Sequence, residues 1–495
     1  MQNTSVLFKT LATSDARPIR GDVFISFSKL QEPTLQGIQD WDKYLYTDYS
    51  GRIVDVEWTR EEQMYASVSS GMADIILDNH DGLFTPNGSS VLSIYMLPAR
   101  PVKIYSGFGS EVVQSFVGLT DGMPSVNEKS KIVILHAIDF LSYFLKKPLD
   151  ESSMFIDKRT DEILRTLFND QGVLDVQMNL DVGLNRIPFV YAKKGEVLGD
   201  LVFKLMEAEG GRLFMDEDGA ITFKNRQGYS SDVKMYLDSY RNIVNSVPKS
   251  NDELVNVVVV EGKIREVQSL QMYGQLTQPI QILHGQSVPI WISFQEPVTS
   301  AVDPVYVTSK KTSYYEVNTL QDGSGVASSS VVLSSSYLFD TSLQLVFTNN
   351  GSADLWVTSV VIFATPAVPV QDIYIREEDS SSVDKYGEKI LSINNDFFGD
   401  VDNAQSKALI ILHTFTDVGE IKQLEIKGDM TLQLGDAVRI DLNGVIEVFR
   451  VIKIINRIGL PGKFTQIVTV GKLLDNSNYF TIGVSAVGGT DMIAP

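Results

Sequence analysis

Between Asp22 and about Leu145, apolar and polar residues alternate in short runs broken by turn residues. The runs are Val23 to Phe27, Arg52 to Trp58, Ala73 to Leu77, Pro101 to Tyr105, Gln114 to Gly118 and Lys131 to His136. Strands at this close spacing predict a sandwich or barrel, and residues 22–145 read as a first β-barrel-like domain. Residues 1–21 form an N-terminal extension.

The period then lengthens. Ile163, Leu164, Leu167 and Phe168 share one helical face behind Thr160 as N-cap and Asp161 and Glu162 in the first turn. Glu196 to Glu209 places Val197, Leu198, Leu201, Val202, Leu205 and Met206 at helical spacing and stops at Gly210-Gly211. A hairpin follows, Arg212 to Met215 and Ala220 to Lys224 around Asp216-Glu217-Asp218-Gly219, so residues 146–263 read as a helix-plus-hairpin α+β domain. Leu254 to Glu261 is a continuous apolar run suited to a strand covered on both faces.

From 264 to 375 the chain turns rich in Ser, Thr, Val and Gln, with strands at Pro289–Phe294, Leu343–Thr348 and Trp356–Phe363 and no helix. This predicts an inserted β-sandwich, with the serine-rich stretch around Ser328 to Ser336 as a surface connection. Residues 376–475 read as a second barrel-like domain. It carries one helix, Val401 to Phe415, and strands at Lys422–Lys427, Asp436–Leu442, Glu447–Ile458 and Phe464–Val470. Residues 476–495 are polar and glycine-containing, the composition of a flexible end. The expected class is therefore β-rich α+β multidomain: two β-barrel-like domains, a small helix-plus-hairpin α/β domain and an inserted sandwich.

Charge narrows the function. The 42 basic against 62 acidic residues of the 495 give −20 at neutral pH, opposite to the basic footprint of a protein that grips nucleic acid. With no cysteine, disulfides, thiolate metal sites and thiol catalysis are excluded. No run reaches the roughly 18 apolar residues of a membrane span, and the opening M-Q-N-T-S-V-L-F-K lacks the pattern of a secretory signal. A soluble product folded in the cytosol is expected.

The candidate chemistry reduces to turns. Taking Gly82 as the sixth position of a calcium loop puts Leu77 first and Gly88 twelfth; taking Gly219 puts Phe214 first and Asn225 twelfth. Neither supplies the acidic first ligand or the terminal glutamate. Asp81-Gly82, Asp218-Gly219 and Gly435-Asp436 are read as structural turns. His80, His136, His284 and His413 lie more than fifty residues apart and show no metal spacing. Neither a G-x-S-x-G elbow nor a P-loop occurs, so no catalytic, cofactor or metal residue is assigned and no enzyme activity is expected. Trp41, Trp58, Trp291 and Trp356 sit beside strand patterns and read as core; Trp291 and Trp356 mark the place on the inserted sandwich for a ligand surface.

Four blocks in order carry a resemblance. The segment Ala73 to Pro86, A-D-I-I-L-D-N-H-D-G-L-F-T-P, resembles one near the start of hub proteins at the tail tip of tailed bacteriophages, also called minor tail or tail-associated structural proteins. Tyr191 to Arg226, with G-E-V-L-G-D-L before E-A-E-G-G-R-L-F-M-D-E-D-G, is similar to their middle block. Leu254-Val255-Asn256 before a valine strand is similar to the next. Lys385-Tyr386-Gly387, the helix after it and L-Q-L-G-D-A-V at Leu432 to Val438 resemble their C-terminal part.

The resemblance implies a homotrimeric hub whose two related barrels per chain form a ring of six similar units. Such a ring joins a threefold tip to the sixfold tail tube. It implies a place in the virion tail tip after assembly in the host cytoplasm. The implied neighbours are the distal tail protein ring, the tape-measure protein, and tail fibres or receptor-binding proteins. DNA would pass through without stable binding, and acidic residues facing the channel would repel it. The alternatives are a β-rich adhesin or carbohydrate-binding protein and, below it, a polysaccharide hydrolase.

Overall fold

The structure, a computed structural model, describes residues 4–13, 17–28, 41–62, 68–226, 233–238, 243–248, 254–307, 310–416, 421–442, 444–459 and 462–472. The expected flexible end at 476–495 lies outside them. The helices in chain order are α1 (Val6–Thr13), α2 (Phe140–Leu145), α3 (Thr160–Asp170), α4 (Leu198–Glu209), α5 (Ser380–Tyr386) and α6 (Val401–Phe415).

The alternating runs become the strands Ile19–Ile25, Ile53–Glu62, Ser69–Asp78, Pro101–Phe108, Glu111–Thr120 and Ile132–Asp139. With the short strands Thr47–Asp48 and Ser125–Asn127 they build one half of a 14-stranded sheet. The other half comes from Val233–Asp238, Ile243–Pro248, Ile421–Ile426, Ala437–Leu442, Val445–Gly459 and Lys463–Lys472. The two halves join where Lys453–Gly459 pairs antiparallel with Asp55–Glu61.

The chain is β-rich with several sheets, as the patterning predicts. Barrel-like closure is a different matter, since among the described residues none of the five sheets closes on itself. The reason lies in Val445–Gly459. Along one edge its first residues, Val445–Arg450, pair with Ala437–Leu442 of their own half, while Lys453–Gly459 pair with the other half. Backbone groups at the far end of this strand are thus satisfied across the joint.

Each half has a core, and the first also takes in Met430, Ile458 and Phe464 from the second half. Val23, Ile25, Val56, Trp58, Ile75, Leu77, Val102 and Ile104 fill the first, and Leu424, Ile426, Val438, Ile440, Val451 and Val468 the second. The extension at 1–21 has a structural task. α1 inserts Phe8, 1% exposed, into the first core with its ring 5.0 Å from that of Phe108. At about 25 cal/mol per Å² of apolar surface removed from water, a buried phenyl ring contributes about 2 kcal/mol.

The helix-plus-hairpin unit packs α2, α3 and α4 on a three-stranded sheet containing Arg212–Met215 and Ile221–Lys224. α4 stops at Gly210, whose φ of +72° ends the helix while its N–H bonds Met206 O. α3 begins one residue earlier in its capping than its sequence suggests. The N–H of Arg159 donates to Glu162 Oε2 at 2.9 Å, and Thr160 is the first helical residue, fully buried, its hydroxyl donating to Glu209 at 2.8 Å.

The inserted region hangs on a two-stranded stalk. Val257–Val267 leads out and pairs with Ala367–Glu378 at the end of the 24-residue strand Leu355–Glu378, which leads back. Ile390–Asn394 pairs with the other edge of the outgoing strand at its base, and α6 covers one face of its valine run, where Val258 and Val260 pack with Ala404, Ala408 and Ile411. Beyond the stalk, Leu355–Glu378 also pairs with other strands of the insertion, and a separate three-stranded sheet, Ser287–Ser293, Ser342–Asn349 and Val331–Leu338, faces it across a shared core. Val331–Leu338 replaces the surface connection read from the serines. Its serines fit a strand because one face of that sheet points to water.

Candidate functional site: a buried ionic junction

The hairpin tip at Asp216–Gly219 sits where three units meet. Asp216 shapes it locally. Its Oδ1 accepts from Ala220 N at 2.8 Å, its Oδ2 accepts from the Thr222 hydroxyl at 2.9 Å, and its carbonyl accepts from Gly219 N, with Gly219 at φ +88°. Glu217 points into the junction and is 6% exposed.

Arg60 of the first sheet half pairs with Glu217 through Nη1, and its Nη2 donates to Ser115 O at 2.8 Å. Gln433 of the second half donates to the other Glu217 oxygen, and Gln114 donates to the Glu217 backbone carbonyl at 2.6 Å. One carboxylate thus ties both sheet halves to the helix-plus-hairpin unit. Trp41 adds an apolar tie, stacking on Phe140 at 4.4 Å while its Nε1–H donates to Gly219 O at 2.9 Å.

A second layer lies beside it. Glu62 faces Arg212 at 3.9 Å and Arg450 at 3.5 Å, which brings together one residue from each of the three units. Lys407 of α6 is buried here among Glu207, Glu62 and Arg450. Burial lowers its ammonium to about 8 and the Arg60 guanidinium to about 10, and it raises the Asp139 carboxyl. Asp139 accepts 2.6 Å bonds from Gly71 N and, as the cap of α2, from Ser142 N.

The sequence-predicted turn residues fall on and around this junction. Gly435, at φ +81°, lies against Arg212 so closely that a Cβ there would stand 1.7 Å from Nη1. Asp436 accepts from Gln433 N at 2.9 Å and so shapes the turn that carries Gln433 to Glu217. Asp218 and Gly219 form the hairpin tip. Asp81 and Gly82 lie elsewhere, at the start of the long connection 79–100.

In that connection Asp81 pairs with Arg52 at 2.7 Å, and the hydrogen bonds from Arg52 hold its carboxyl at about 2. Gly82 sits at φ +71° with its N–H on Asn79 O. Asn79, 3% exposed, organises the bend by accepting from Phe84 N at 2.8 Å and donating to Thr85. The strands on either side of this connection do not pair with each other.

Histidines stay apart. His80 pairs with Asp78 and His136 with Asp74, each at 2.6 Å on the surface, and His284 bonds Gly351 O. The side chain of His413 lies outside the described residues. Among the described residues no group of three or more His, Asp or Glu is placed to hold a metal ion, and no helix is long and apolar enough to cross a membrane. Trp41 and Trp58 are core, 1% and 2% exposed. Trp291 stands 51% exposed on the inserted sandwich, where the sequence read it as core, and Trp356 is half-buried.

The sequence alone does not mark Arg60, Glu62, Glu217, Lys407 and Gln433 as site residues. A signal was present for two of them. In Ile53–Glu62 the inward positions run Val56, Trp58, Arg60, Glu62, so two charges continue the apolar face.

No protein-family model matches the sequence, and no curated protein matches it. Solved structures do resemble the chain over most of its length. The 43 kDa tail protein of prophage MuSo2 from Shewanella oneidensis is 11% identical, with a TM-score of 0.48 over 91% of this chain and 98% of that one. A tail protein from Neisseria meningitidis is 8% identical, TM-score 0.48, over 92% and 96%. The prophage tail protein gp18 from Listeria monocytogenes is 9% identical, TM-score 0.44, over 92% and 95%.

Proposed function

We propose that this chain is a non-enzymatic structural subunit of a phage-type tail tip, three copies of which form a ring of six alternating sheet halves around a channel for DNA. The observation that carries this reading is the polarity of the joint between the halves. Every ion pair described across it takes its acid from the first half and its base from the second: Asp55 with Arg457, Glu61 with Lys453 at 2.6 Å, and Glu62 with Arg450 at 3.5 Å.

The polarity extends beyond the joint. Residues 19–145 hold 16 acidic against 9 basic residues, whereas residues 421–472 hold 5 acidic against 8 basic. An isologous dimer would place like patches together, while a head-to-tail ring places the acidic half of one copy against the basic half of the next. The four ordered sequence blocks support the assignment to a tail tip, and the excess of acid in the first half supports a channel wall that DNA passes without binding. The distal tail protein ring, the tape-measure protein and fibres or receptor-binding proteins are the proposed neighbours.

Light scattering on the purified chain tests the ring. A mass near three copies, about 165 kDa, that dissociates as salt screens the charges is the expected result. A stable dimer, or a monomer up to about 100 µM at low salt, would overturn it.

A further inference from the structure

The three-stranded sheet of the insertion differs in chemistry from the rest of the protein. Its strands, Ser287–Ser293, Val331–Leu338 and Ser342–Asn349, are 7, 8 and 8 residues long and contain no Asp, Glu, Lys, Arg or His. In the chain as a whole, 21% of residues are charged. Sheets facing water ordinarily guard their faces and edges with charge, lysine above all. The inward residues Ile290, Ile292, Leu343, Leu345 and Phe347 are buried, so the uncharged outward face is the part that needs an account.

That face has an ordered layout. Trp291, Gln344 and Tyr337 stand opposite one another in a row across the three strands. Trp291 is 51% and Tyr337 55% exposed, and Trp291 stacks on Phe339 at 5.5 Å and 30°, which holds its ring in place. Pro289 and Val346 stand next along the strands, and beyond them lie hydroxyls: Ser287 and Thr348 sit 2.7 Å apart, and Ser334 also bonds Thr348. Two exposed rings flanking an amide, beside a field of hydroxyl groups, match the two faces of a sugar. Its C–H surface packs on aromatic rings and its hydroxyls exchange hydrogen bonds with amides and alcohols.

We propose that this face binds a neutral glycan, with Trp291 and Tyr337 as stacking platforms and Gln344 between them as the hydrogen-bonding group. The choice of ligand follows from charge. A phosphorylated or acidic polymer finds no cation on these strands, and the acidic remainder of the chain repels it, whereas a neutral chain of sugars meets no unpaired charge to desolvate. The stalk Val257–Val267 with Ala367–Glu378 separates the face from the body.

The test uses the full-length protein on an array of neutral and acidic oligosaccharides, followed by fluorescence titration with the best neutral binder. Saturable binding of a neutral glycan is expected, weakened at least about tenfold by Trp291→Ala and by Tyr337→Ala, with circular dichroism unchanged. If Trp291→Ala disturbs the fold, Tyr337→Ala decides. The proposal is overturned if no neutral glycan binds, if only acidic glycans bind, or if neither substitution weakens binding. A change of oligomeric mass in these variants in place of a change in glycan affinity would assign the face to protein contact and also overturn it. None of these outcomes bears on the ring, whose joint lies in the body.

Discussion

The hairpin junction and the outer face of the insertion place charge in opposite ways. At the junction, Arg60, Glu62, Glu217, Arg212 and Lys407 are buried together where three units meet, and each acid faces bases from other units. On the insertion, a sheet open to water carries none. Buried ion pairs add little net stability over well-packed apolar residues, but a mismatched neighbour strands a charge. The junction is thus suited to fixing one relative placement of the units. The uncharged face fixes nothing within the chain and is suited to an outside ligand.

The largest effect that would break this contrast lies at Glu217. Replacing it with Leu leaves Arg60 buried without its carboxylate and should cost about 3–5 kcal/mol in denaturant unfolding. Adding Arg60→Met should restore most of the loss. A single variant as stable as the parent would remove the junction from the account.

Lys407 sharpens the same side through pH. Its folded value of about 8 lies below the ordinary 10.5, so below pH 8 both states carry the charge and the folded state bears the full burial cost. Between about pH 8 and 10.5 the unfolded chain holds more protons, and stability should rise with pH by on the order of 3 kcal/mol. Lys407→Met should stabilise the protein at pH 7 and flatten that slope, measured by urea titrations across the range.

Smaller effects are expected at exposed groups. The Asp55–Arg457 pair, with Arg457 half-exposed, should contribute under about 1 kcal/mol in a double-mutant cycle, and less at high salt. Trp291→Ala should change stability by only about 0.5 kcal/mol, because the side chain is half in water. A loss of several kcal/mol there would show that the face is structural.

How much was readable from sequence follows from how local each feature is. α6 spans Val401–Phe415, as its periodicity predicts, and α4 stops at the glycine pair that marks its end. Features set by distant partners were not readable. Val233–Asp238 and Ile243–Pro248 have weak alternation and become strands because Ala437–Leu442 and Ile421–Ile426 supply their hydrogen bonds. The serines of Val331–Leu338 suggested a loop because outward serine and loop serine look alike until a paired strand is in place. Nothing local marks Phe8 in α1 as core, since its partner Phe108 lies a hundred residues away.

At the candidate site, the turn glycines were legible from their dipeptides, and Gly219 and Gly435 are positive-φ residues in turns at the junction. The charges they bring together were not. Glu217 looks like one acid in a polar turn, and only the fold sets Arg60 and Gln433 against it.

The most direct measurement is an image of the assembled protein. Class averages of negatively stained particles should show a threefold ring of six similar lobes around an open centre, in which acidic and basic halves alternate. Twofold particles, or rings in which first halves contact first halves, would contradict the account.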